Sequence, residues 1–130
     1  MVAVGDTRSL VLVEGLHRTQ IVQYAGASGD YNPLHTDELY ATEVAGFPSV
    51  FAHGMLSMGM TGRLLTDWFG DRSLVRYGVR FVAQVWPGDT LTATAEVTAV
   101  DDGVAEVSIT TTNQDGVVVV TGSAAAKVAA

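Results

Sequence analysis

The 130-residue sequence contains no cysteine, which removes disulfides, thiolate nucleophiles and zinc–sulfur centres at once and is compatible with a reducing compartment. Histidine is scarce: the three, at 17, 35 and 53, are too scattered for the two-histidine helix face of an HExxH zinc site. The carboxylates show no calcium-loop spacing either, so no metal-binding set is expected. Lysine and arginine number seven against fourteen acids, giving a net charge of −7 and a pI near 4.6, a surface that repels nucleic acid and anionic membranes. No run of roughly eighteen apolar residues exists, and Met1-Val2-Ala3-Val4-Gly5-Asp6 lacks a basic segment followed by an apolar one. A soluble, cytoplasmic protein is therefore expected. Also missing are GxGxxG after a strand, GxxxxGK[ST] and GxSxG, so Rossmann, P-loop and α/β-hydrolase readings fail.

What remains fits one domain, 1–130, able to bury roughly two-thirds of its unfolded surface. Val11–Val13 reads as a short strand, and Thr19 can cap a helix from Gln20 to about Ala27, ended by Gly26 and Gly29. Thr36 or Asp37 can cap a second short helix, Glu38–Val44, stopped by Gly46 and Pro48. From Gly54 to Phe69 charges are few and Ser57, Gly59 and Gly62 are small. This predicts a helix buried on most sides, with glycines admitting another backbone and Met58 and Met60 filling core gaps. Ser57, inside that helix, is expected to bond a backbone carbonyl.

The second half changes period. Val75, Tyr77, Val79, Phe81, Ala83 and Val85 alternate with mostly polar neighbours before Pro87-Gly88-Asp89 turns the chain. Leu91, Ala93, Ala95, Val97 and Ala99 form the inward set of the next strand. Asp101-Asp102-Gly103 and Gln114-Asp115-Gly116 read as hairpin turns around a strand over Val107, Ile109 and Thr111, and Val117 to Ala126 makes the last strand. The expectation is an α+β fold: one long helix against an antiparallel meander.

Two stretches carry chemistry. In Ser28-Gly29-Asp30-Tyr31-Asn32-Pro33-Leu34-His35-Thr36-Asp37, an acid and a histidine flank a proline that stiffens the loop. Both side chains could hold one water, taking its proton and returning one to carbon, as addition of water to an activated double bond requires. Burial would bring their pKa values toward operating pH; the plainer alternative is a structural hydrogen bond. About twenty residues on, Ala52-His53-Gly54-Met55 opens the long helix. There the free Gly54 N–H, with the helix's positive end behind it, could polarise a carbonyl. Otherwise Gly54 merely avoids a clash. His53 is read as shaping the turn through a hydrogen bond.

Tyr24-x4-Gly29-Asp30-Tyr31-Asn32-Pro33-Leu34-His35-x-Asp37, followed by Ala52-His53-Gly54-Met55-Leu56, resembles the signature of the MaoC-like (R)-specific enoyl-CoA hydratases and (3R)-hydroxyacyl-thioester dehydratases. Neither motif departs from the family's pattern, and the resemblance spans nearly the whole chain. It implies a hotdog fold, an antiparallel sheet wrapped around one long helix. It also implies that Asp30 and His35 activate water, that the Gly54 amide polarises the thioester carbonyl of a trans-2-enoyl group, and that Asn32 and Pro33 shape the loop. No cofactor is implied, since coenzyme A or phosphopantetheine arrives as the substrate's own thioester. Thr66-x-Trp68-x-Gly70-Asp71 and Val79-Arg80-Phe81 further resemble the catalytic subunit of the carrier-protein dehydratases of mycolic-acid-making bacteria, which pairs with a second hotdog subunit. A homodimer or heterodimer is implied.

Asn32, Tyr24, Phe51, His53, Met58 and Arg80 are the candidate substrate contacts. Tyr24, Phe47, Val50, Phe51, Met58 and Trp86 are candidates for the acyl pocket. Arg63, Arg72, Arg76 and Arg80 fall within eighteen positions and could form a patch for CoA phosphates or an acidic carrier protein, or simply solubilise the surface. Two other readings stay open: a co-dependent subunit of a heteromeric dehydratase, and a hotdog thioesterase. The second would need its acid on the long helix, where the first carboxylate is Asp67.

Overall fold

The computed structural model describes residues 1–129. Its elements run β1 (Thr7–Val13), α1 (Arg18–Ser28), a π-helical turn (Tyr40–Val44), α2 (Gly54–Phe69), β2 (Leu74–Phe81), β3 (Leu91–Asp101), β4 (Val104–Thr112) and β5 (Val118–Lys127). All five strands share one antiparallel sheet in the order β1-β3-β4-β5-β2. The long helix α2 packs against β1, β2, β3 and β5, the helix-on-sheet arrangement expected from the sequence. None of the described helices is long and apolar enough to cross a membrane.

Period-two alternation supplies the floor of the core. Leu91, Ala93, Ala95 and Val97 of β3 and Val107 and Ile109 of β4 are all buried and meet Leu64 and Leu65 of α2 and Ile21 of α1. Each fully buried large aliphatic side chain contributes about 1.5–3 kcal/mol. Ala99 breaks the expected set and is exposed, because a register shift between Val97 and Ala99 turns the following residues to the other face. The β3–β4 hairpin has Asp102 and Gly103 both at positive φ, 51° and 72°, as a two-residue turn of matching twist needs.

Several expectations are corrected. Only β3, β4 and β5 form a meander: β2 lies at the far edge beside β5, so Pro87-Gly88-Asp89 does not join a hairpin. Instead the 82–90 segment crosses from the β2 edge to β3, beside the opposite edge strand β1, tied by the Val82 N–H to the Val119 carbonyl and the Ala52 N–H to the Val85 carbonyl, each 2.8 Å. Strand β2 ends at Phe81 rather than Val85. Val75 and Phe81, expected inward, are exposed; for Val75 the cause is the register shift between Leu74 and Arg76.

Helix α1 starts at Arg18, two residues earlier than a Thr19 cap would allow. His17 is its N-cap, its N–H bonded to the Gln20 side-chain oxygen at 3.0 Å, a reciprocal cap that Gln at this spacing provides. Gly26 lies inside it, and Gly29 closes it at φ 76°. Asp37 is the residue that caps the next turn, accepting from the Tyr40 N–H at 3.1 Å.

Helix α2 is buried on one face, not on most sides. Ser57, Thr61, Leu64 and Leu65 point inward, while Met55, Gly59, Arg63 and Asp67 are exposed. Met58 and Met60 are half-buried at its flanks. Its glycines admit rings rather than backbone: a Cβ on Gly54 would lie 2.9 Å from the Phe81 ring, one on Gly62 3.1 Å from Tyr77, and Gly59 faces open space.

Candidate active site

The loop after α1 is built by short side chains bonding their own backbone. Asp30 Oδ1 accepts from the Asn32 N–H at 3.2 Å, and Asn32 Oδ1 accepts from the Leu34 N–H at 3.0 Å, turns that Asx residues form readily. The Asp37 N–H then closes on the Pro33 carbonyl at 2.9 Å, and the Phe51 N–H reaches the Leu34 carbonyl at 3.3 Å. Asn32 is thus a loop-shaping residue, as expected. The last of these bonds ties the acid/histidine loop to the segment entering α2.

His35 and His53, eighteen positions apart in sequence, stack with ring centroids 3.8 Å apart and planes 25° from parallel. Asp30, His35 and His53 each place one side-chain atom within 4.8 Å of the others, a convergence that the wide spacing of the histidines concealed. Backbone carbonyls accept from both imidazoles and so assign their tautomers. His35 Nδ1–H donates to the Phe51 carbonyl at 2.6 Å, leaving Nε2 as the ring's basic nitrogen. His53 Nε2–H donates to the Asp30 carbonyl at 3.0 Å, which holds the acid/histidine loop against the start of α2. Its Nδ1 is buried without a partner.

His53 is also the N-cap residue of α2, in extended conformation, which puts Gly54 at the first helical position. The N–H groups of a first turn have no carbonyl four residues back, and Gly54 adds no side chain of its own beside them. Gly54 borders a cavity of about 250 Å³ walled by Phe51, Ser57, Phe81, Val85 and Val119 among others. Asp30 and His35 do not line this cavity. They are joined to it through Phe51, whose carbonyl holds His35 and whose ring stands edge-on to the same imidazole at 5.2 Å.

Of the residues expected to line an acyl pocket, Phe51 alone borders this cavity. Tyr24 meets the His53 ring edge-on at 4.8 Å; the Met58 carbonyl accepts from the Tyr77 hydroxyl at 2.7 Å. Val50 is buried, and Phe47 and Trp86 pack on the Phe51 ring at 4.9 and 5.8 Å. The walls come instead from Phe81 to Val85 and from β5. Alternation had marked Ala83 and Val85 as inward, but nothing in sequence showed that this face meets Gly54. Asp30 is exposed rather than buried, and His35 half-buried.

The four arginines do not form one patch. Arg63 donates to the Leu12 carbonyl of β1 at 3.0 Å, at the sheet edge opposite β2. Arg76 pairs with Glu106, which raises the guanidinium pKa and lowers that of the carboxyl. Only Arg76 and Arg80 share a groove, shallow and away from Gly54, on β2 and β5.

The sequence and fold resemble those of known proteins. An (R)-specific enoyl-CoA hydratase of Aeromonas caviae is 33% identical over 112 residues, 83% of each chain. A solved structure of the (R)-hydratase from A. caviae involved in PHA biosynthesis superposes with a TM-score of 0.87 at 28% identity, covering 98% of both chains. One of the ChsH1-ChsH2 complex from Mycobacterium tuberculosis superposes at 0.86 with 29% identity, over 99% of this chain and 100% of that one. The 3-hydroxyacyl-thioester dehydratase Y of M. tuberculosis is 42% identical over 67 residues, where the match takes in 49% of this chain and 23% of that protein's length. The model of the MaoC like domain matches residues 2–119, so a loop carrying Asp30 and His35 and a helix opening at Gly54 stand here in a member of the MaoC-like domain family.

Proposed function

We propose that the chain is a hydro-lyase that reversibly adds water to trans-2-enoyl thioesters, giving (R)-3-hydroxyacyl thioesters. The observation that carries this reading is the convergence of Asp30 and His35 on His53, the cap of a helix whose first residue, Gly54, borders a cavity. A water held by the Asp30 carboxylate and His35 Nε2 attacks C3 of the enoyl group. As it does, the C2=C3 electron pair moves toward the thioester, and negative charge grows on the carbonyl oxygen. The Gly54 N–H, backed by the helix dipole, binds that oxygen; one such donor contributes about 3 kcal/mol in related acyl chemistry. The proton that leaves the water passes to His35 Nε2 and is returned to C2, so that H and OH are both accounted for. The Nδ1–H bond to Phe51 keeps His35 in the tautomer this requires.

The acyl group enters as a coenzyme A or carrier-protein thioester, and the chemistry uses no further cofactor. Exposed Val75, Phe81 and Val82 on and beside the edge strand β2 favour a second hotdog subunit, identical or different, along that edge. A thioesterase is disfavoured because Asp67 lies thirteen positions along α2 from Gly54, about 20 Å at 1.5 Å per residue, and faces a separate hollow with Arg8 and Trp68.

Hydration of crotonyl-CoA and longer enoyl-CoAs, followed by loss of the enoyl-thioester absorbance, tests the assignment. Asp30→Asn and His35→Ala should each abolish turnover while the protein stays folded. Turnover retained in both variants overturns the reading.

A further inference from the structure

Ser57 behaves unlike every other buried polar residue of the described chain. Thr61 and Thr111 share a hydrogen bond at 2.7 Å, Ser73 donates to the Gly70 carbonyl, Asp89 accepts from the Trp86 N–H and the Gln114 side chain, and His53 holds the Asp30 carbonyl. The Ser57 side chain makes no hydrogen bond among the described residues, although the residue is only 2% exposed. A serine inside a helix ordinarily turns its hydroxyl back to the carbonyl four residues earlier, here that of His53. That carbonyl instead receives only backbone N–H groups, from Leu56 at 3.2 Å and Ser57 at 3.4 Å. The side chain forgoing this partner belongs to the wall of the cavity that Gly54 borders.

Helical geometry places the hydroxyl usefully. Residues three apart lie on one face, and each Cα–Cβ bond leans toward the helix N-terminus, so the Ser57 side chain leans toward the turn that begins at Gly54. Gly54 adds no side chain of its own; the Phe81 ring stands 2.9 Å from where its Cβ would lie, on the wall of the same cavity. We infer that the Ser57 hydroxyl is a second donor to the thioester oxygen, acting with the Gly54 amide on the charge that develops there during hydration. This deepens the proposed hydratase reading and rests on it. A neutral hydroxyl whose only free acceptor is the ligand costs nothing to reorganise as that charge appears, and its bond is strongest when the oxygen is most anionic.

The test compares Ser57→Ala, Ser57→Thr and Ser57→Cys with the unaltered protein on crotonyl-CoA and on a longer enoyl-CoA. Ser57→Ala should lower kcat about tenfold to a hundredfold, with KM within about twofold, by the same factor on both substrates. Its melting temperature should not fall, since no bond within the protein is lost. Ser57→Thr, which keeps the hydroxyl, should retain most of kcat; Ser57→Cys, a weak donor of similar size, should not. An unchanged kcat in Ser57→Ala overturns the inference. So does a loss confined to KM or dependent on chain length, either of which marks a wall of the acyl pocket. Turnover retained in both Asp30→Asn and His35→Ala, whatever Ser57→Ala does, sinks the hydratase reading itself.

Discussion

The imidazole of His53 lies under that of His35, centroids 3.8 Å apart and nearly parallel, while its Nε2–H holds the carbonyl of Asp30. One buried side chain thus touches both members of the acid/histidine pair without donating or accepting the reaction's proton. His53→Ala removes the support beneath His35 and leaves the Asp30 carbonyl without its donor. It should cost about 2 kcal/mol of stability and lower kcat with it. His53→Gln restores a donor but not the stacked ring, so chemical denaturation should show stability partly recovered while steady-state kinetics show kcat still depressed. Full activity in His53→Ala would reduce the residue to a packing element.

Gly54 admits two explanations that a double variant separates. A methyl group there would sit 2.9 Å from the Phe81 ring, a contact with a side chain rather than with backbone, which a small shift of the ring relieves. Gly54→Ala should therefore fold, while the methyl group blocks close approach of a thioester oxygen to the amide, lowering kcat about a hundredfold. Adding Phe81→Ala relieves the contact. If turnover stays low, the amide is what matters; if it returns, Gly54 served only to make room for the ring.

The fold and the two chemical motifs were legible because they rest on local signals. The Asn32-Pro33 turn, the Asp37 cap, the Asp102-Gly103 hairpin and the alternation from Leu91 to Val97 each read within a few residues. What sequence concealed is nonlocal. Phe81 and Val119 meet Gly54 only because β2 pairs with β5 rather than β3, and His35 stacks on His53 only because the Phe51 N–H ties one loop to the other. The register shifts that expose Val75 and Ala99 leave no mark that hydrophobic pattern alone reveals, since a slipped strand keeps its composition and changes only its facing.

Tyr77 offers a stability test apart from the reaction. Its hydroxyl donates to the Met58 carbonyl at 2.7 Å, and burial pushes the phenol pKa up from 10 to about 12. A pKa raised in the folded state means that the unfolded chain ionises first as pH climbs. Stability from this group is then full below pH 10 and is lost as pH rises toward about 12. Tyr77→Phe cannot ionise and lacks the bond to Met58, so at neutral pH it should be less stable by about 1 kcal/mol. Urea melts at stepped alkaline pH should show that gap narrowing, because only the tyrosine protein pays for keeping a phenol neutral. A gap that stays constant from neutral pH through this window would mean that Tyr77 titrates alike in the folded and unfolded chains.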